Sequence, residues 1–130
     1  MATKIYVIFK IVSDVITPEK IEEITGLQCD YKWRIGDKRG KTMIIEKTNG
    51  FVIESKLAKT ALLREQLFYL LDMLTPYAQS ISALPKETYR EIACVIYSED
   101  RTEMFFNEKI INQIANLNAC FGIDYYSFDP

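Results

Sequence analysis

Residues 32–41 read Lys-Trp-Arg-Ile-Gly-Asp-Lys-Arg-Gly-Lys, five cations around the only tryptophan of the chain. Guanidinium groups chelate phosphate, and an indole stacks on a nucleobase. Trp33, Arg34, Asp37, Lys38, Arg39 and Lys41 are therefore the first candidate binding residues. Arg34 can stack on Trp33 or bridge to Asp37. The plainer alternative is a solvated turn, with Trp33 anchored in the core and Gly36 at positive φ. Gly36 and Gly40 lack the spacing and the strand–helix context of a phosphate loop. A second candidate lies near the other end of the chain. Tyr125 and Tyr126 fall on opposite faces of a predicted strand, and an exposed tyrosine anchors interfaces well.

Catalytic chemistry finds less support. Histidine is absent, which removes the commonest general base and the commonest transition-metal ligand. Glu19, Glu22 and Glu23 share one short predicted helix, where they face solvent and balance its dipole. Glu99, Asp100, Glu103 and Asp124 are the only grouping that suggests a hard cation, and Arg101 in their midst argues against a dedicated cage. Cys94 sits inside an apolar strand without a cationic activator, as a packing residue. Cys29, Cys94 and Cys120 are odd in number and contain no C-x-x-C pair, so three reduced thiols are expected. The sequence thus predicts no catalytic constellation, no metal and no cofactor.

Composition narrows the class further. With 130 residues, 48% hydrophobic and 26% charged, the chain reads as a single globular domain over residues 1–130. A net charge of −2 makes any nucleic-acid contact a local matter. Residues 1–11 lack the pattern of an export signal. No apolar run reaches the roughly 18 residues of a membrane span. A cytoplasmic protein without membrane contact is expected.

The elements that must position these residues follow from periodicity. Leu63, Leu67, Leu70, Leu71 and Leu74 form a wide apolar stripe within a central helix over residues 60–84, with Arg64, Glu65, Gln66 and Asp72 expected in water. Thr75-Pro76 predicts a restart of that helix. Residues 5–12 read as a strand. Thr17-Pro18-Glu19 caps a helix that Gly26 ends, with Ile16 and Ile21 as a staple. Residues 28–34 read as the next strand. Asn49-Gly50 predicts a type I′ turn joining arms 42–48 and 51–55. Residues 89–98 form another strand, Asn107 caps a helix stapled by Phe106 and Ile111, Asn118 ends it, and residues 121–128 form the last strand. The fold class is α+β: two β-α-β units flank a hairpin and a central helix, in a ferredoxin-like sandwich of one sheet with helices on one face.

The order of these signals resembles that of a bacterial family of small uncharacterised domains, numbered 4279 among the domains of unknown function. The residues that carry the resemblance are Thr17-Pro18-Glu19 with Ile21, Trp33-Arg34-Ile35-Gly36-Asp37, Gly50-Phe51 with Ser55, Leu70-Leu71-Asp72-Met73-Leu74, and Asp124 with Tyr126. Phe51 departs from the family's tryptophan, and Gly122 from its first terminal aspartate. The resemblance implies a fold and no established activity.

The residues lead to a non-enzymatic binding module with a protein partner, of the inhibitor or immunity type, or one that self-associates. The alternative is a binder of nucleic acid or a phosphorylated small ligand through residues 32–41. A histidine-free enzyme using carboxylates is a third reading, and it requires two carboxylates to converge.

Overall fold

The computed structural model describes residues 3–127. Five strands make one sheet: β1 (Lys4–Ser13), β2 (Tyr31–Trp33), β3 (Asn49–Glu54), β4 (Tyr89–Ser98) and β5 (Cys120–Ser127). Between them run α1 (Pro18–Thr25), α2 (Leu63–Leu74), a 3-10 turn (Thr75–Tyr77), α3 (Ala78–Ser82) and α4 (Glu108–Asn116). The spatial order is β2-β3-β1-β4-β5. All neighbours are antiparallel except β4 and β5, which are parallel. Elements β1 to β4 follow the β-α-β-β-α-β ferredoxin-like order, and α4 with β5 adds one parallel unit. Among the described residues, no helix is long and apolar enough to cross a membrane.

One face of the sheet is covered. Along β1, Ile5, Val7, Phe9 and Ile11 are buried, and they join Phe51, Ile53, Ile92, Cys94 and Ile96 of the neighbouring strands. The leucine stripe of α2 lies on them, with Leu67, Leu70 and Leu74 at 0% exposure. Each such side chain stabilises the fold by about 1.5–3 kcal/mol. Ile21 of α1 and Ile110 and Ile114 of α4 complete the layer. The alternate residues, including Tyr6, Tyr31, Trp33, Val52 and Tyr97, occupy the opposite face, over which no helix of the described residues lies.

The caps form as their residue types require. Thr17 accepts the Lys20 amide and Asn107 the Ile110 amide, at 3.2 and 3.0 Å. Gly26 takes φ 80° and Asn118 φ 54°, the left-handed stops.

Several expectations are corrected. The two strands of the first unit are parallel but not neighbours, because β3 inserts between them. Asn49-Gly50 is not a turn: both residues begin β3, and Gly50 does not have positive φ. The hairpin joins β2 to β3 instead, through the long connection 34–48. Residues 42–48, expected as a strand arm, lie in that connection. Gln66 is fully buried rather than in water, because its amide Nε2 donates to the Ile5, Ala58 and Ala61 carbonyls and ties α2 to β1. The helix restarts at Thr75-Pro76 as a 3-10 turn, in which the Thr75 hydroxyl donates back to the Leu71 carbonyl at 2.8 Å. Ile111 is 56% exposed, and Phe106 packs edge-on against Phe121 at 4.8 Å in place of the expected staple. Phe128 lies outside the described residues.

Candidate functional site

β2 is three residues long, and its pairing with β3 places Trp33 opposite Gly50 on the uncovered face. The indole occupies the space a side chain at residue 50 would need: a β-carbon there would lie 2.0 Å from ring atoms. Trp33 also stacks on Tyr31, with centroids 6.3 Å apart and planes at 28°. The expectation of a core tryptophan is corrected by this placement. Trp33 is half-buried, and its ring contacts lie on the open face, outside the core layer. Its Nε1 is shielded without a hydrogen-bond partner.

The cations that follow are largely engaged. Lys32 points to the helix side, where its Nζ lies 3.1 Å from Glu22 and 3.7 Å from Glu19. Arg34 pairs with Glu19. Arg39 makes a two-pronged contact with Glu46, at 2.7 and 3.3 Å. The Arg34 guanidinium beside Glu19 holds that carboxyl below its ordinary value, and Arg39 does the same for Glu46. Glu22 raises the ammonium pKa of Lys32. Asp37 accepts the backbone amide of Arg34 at 2.8 Å, closing the turn. Among the described residues Lys38 and Lys41 carry no ion pair.

Connection 34–48 has its own frame. Gly36 and Gly40 take φ 95° and 57°, which only glycine tolerates freely. The Gly36 amide donates to Glu46, the Glu46 amide to Asp37 and the Arg39 amide to Ile44. The base is pinned by Asn49, whose Oδ1 accepts the Ile35 amide at 3.0 Å while Nδ2 donates to the Ile16 carbonyl at 2.9 Å. This lets the rest project. Met43 is 83% exposed, and Ile35, Ile44 and Ile45 are each more than half exposed. Sequence reasoning missed this patch because three consecutive apolar residues read as a strand arm. The signal available was the absence of alternation.

Two concavities flank the edge on the open face. One of about 540 Å³ is walled by Tyr31, Trp33, Asp37, Lys38, Arg39 and Glu46. The other, about 380 Å³, is walled by Tyr6, Ile8, Tyr31, Glu54, Val95 and Tyr97. Tyr97 in turn stacks on Tyr126 at 5.2 Å. Thus Tyr126 belongs to the open face, whereas Tyr125 is on the helix side and donates its hydroxyl to the Asp100 carbonyl at 2.9 Å. The two candidate groups are not brought together. β2 and β5 are opposite edges of the sheet, about 19 Å apart at ordinary strand spacing. Glu19 and Glu22 converge on cations. No group of three or more Cys, Asp or Glu side chains could hold a metal ion among the described residues.

A family model described as a domain of unknown function, DUF4279, matches residues 3–128, and the chain belongs to that family. No curated protein and no solved structure matches the chain.

Proposed function

We propose that this member of the DUF4279 family is a non-enzymatic module that binds a protein partner, of the inhibitor or immunity type, through connection 34–48 and the adjoining Tyr31–Trp33 edge. The observation that carries this reading is the exposure of Ile35, Met43, Ile44 and Ile45, all four on one pinned loop. Exposed apolar side chains held together are what a protein surface covers. Phosphate would gain nothing from them. Tyrosine, tryptophan and arginine beside the patch are the residue types enriched at interface centres.

Nucleic acid or a phosphorylated ligand is the second reading. Lys38 and Lys41, free of ion pairs among the described residues, favour it, while the pairs made by Lys32, Arg34 and Arg39 count against it. The experiment is affinity capture from an extract of the native host, run with and without nuclease. Met43→Ser/Ile44→Ser is compared with Lys38→Ala/Lys41→Ala. A protein retained after nuclease and lost with the Ser pair supports the proposal. Capture abolished by nuclease, or lost only with the Ala pair, transfers it to the second reading.

A further inference from the structure

A cavity at the other end of the strands is independent of that loop. It lies where β1 begins, between the N-terminus of α2 and the connection that leaves β4, and its volume is about 290 Å³. Ile5, Ala61, Leu63 and Phe105 supply apolar wall, and Arg64 and Arg101 supply the charge. The wall is fixed from behind by Gln66, fully buried, whose amide holds the carbonyls of both Ile5 and Ala61. Phe105 is 71% exposed, a large aromatic left at the rim.

The charges are unequal in availability. Arg64 is engaged by Glu103, 3.6 Å away. Arg101 has no carboxylate partner among the described residues. Leu62, Leu63 and Arg64 at the start of α2 line the same space, and Leu62 at the cap position makes no side-chain cap. The cavity therefore presents one guanidinium without a carboxylate partner among the described residues, above an apolar wall. Its size suits a ligand at the small end of the usual range. Glu103 at the rim disfavours a doubly charged group such as phosphate.

We propose that this cavity binds a small monocarboxylate with a short apolar body, the carboxylate on Arg101 and the body against Leu63 and Phe105. Planar two-pronged pairing explains why arginine serves there.

Hexanoate is the probe, titrated into the whole chain and followed by amide chemical shifts. Saturable shifts confined to residues 60–65 and 101–105 are expected, with a Kd of about 1–10 mM for so small a ligand. Arg101→Gln should weaken binding about tenfold or more, and Phe105→Ser should weaken it also. Both positions are exposed, so their melting curves should match the parent. Hexanamide, neutral and of the same shape, should bind the parent no better than hexanoate binds Arg101→Gln. The proposal is overturned by absence of saturation, by unchanged binding in Arg101→Gln, or by inorganic phosphate competing as well as hexanoate.

Discussion

The indole of Trp33 lies across Gly50 so closely that a β-carbon on the glycine would sit 2.0 Å from its ring. Glycine at residue 50 is thus a packing requirement of the open face, created by the residue opposite it on β2. Gly50→Ala should push the ring outward and cost about 1–3 kcal/mol, the usual penalty of overpacking. Trp33 is the only tryptophan, so its fluorescence reports the shift directly. A red-shifted emission together with a lower urea midpoint is expected. Unchanged emission would show that the backbone, not the indole, gives way.

Arg90 is buried in β4 and pairs with no carboxylate among the described residues; its guanidinium donates to the carbonyls of Ile81, Thr88 and Leu84 at 3.1, 3.3 and 2.9 Å. It holds the turn between α3 and β4. Arg90→Met fills similar volume and leaves these carbonyls without their donor. A loss of about 2–4 kcal/mol is expected in chemical denaturation, in line with buried groups deprived of charged partners. Lysine keeps the charge but not the fork, so Arg90→Lys should recover only part of it. A loss under about 0.5 kcal/mol, the ordinary surface range, would refute the role.

Glu19 is held below its ordinary value of 4.5 by the hydrogen bond from Arg34. A depressed folded-state pKa stabilises the fold above the unfolded value, and that contribution disappears as pH falls through the folded one. Glu19→Gln should therefore be less stable than the parent near pH 7, and the gap should close below pH 4.5. Because the pair is exposed, the difference should shrink in high salt. Denaturation at pH 7 and pH 3, at low and high ionic strength, reads both effects. A gap of the same size at pH 3 as at pH 7 would assign the loss to packing instead.

The three thiols should separate by rate. Burial, aided by the Glu91 charge, pushes Cys94 up to about 12, and burial first, with Glu22, raises Cys29. Cys120 is exposed. At pH 8 a disulfide reagent should label Cys120 promptly, Cys29 slowly and Cys94 only on unfolding, since the thiolate is the reactive form. Denatured protein should yield all three. Prompt labelling of Cys94 would contradict its burial.

Local chemistry made much of the fold legible. Thr17, Gly26, Asn107 and Asn118 mark helix ends because capping depends on a side chain and its immediate backbone. The α2 stripe and the span of β4 are legible because burial of one face imposes a period on the sequence. Apart from the arm expected at 42–48, the type and order of the elements followed, and with them the ferredoxin-like class.

What the sequence could not decide depends on residues distant in the chain. Asn49-Gly50 has the composition of a turn, yet β3 starts there because Asn49 is needed 33 residues away at the Ile16 carbonyl and Gly50 is needed under Trp33. Gln66 looks like a solvent residue until Ile5, 61 positions earlier, presents a carbonyl to it. The cations at 32–41 read as a phosphate contact or a solvated turn, and only the tertiary placement of α1 brings Glu19 and Glu22 to Lys32 and Arg34. Trp33 and Tyr126 look equally available for an interface, and the strand order alone puts them on opposite edges of one open face. Local propensity acts over a few residues, whereas steric fit, burial and charge pairing act through space, so these placements exist only once the sheet has formed.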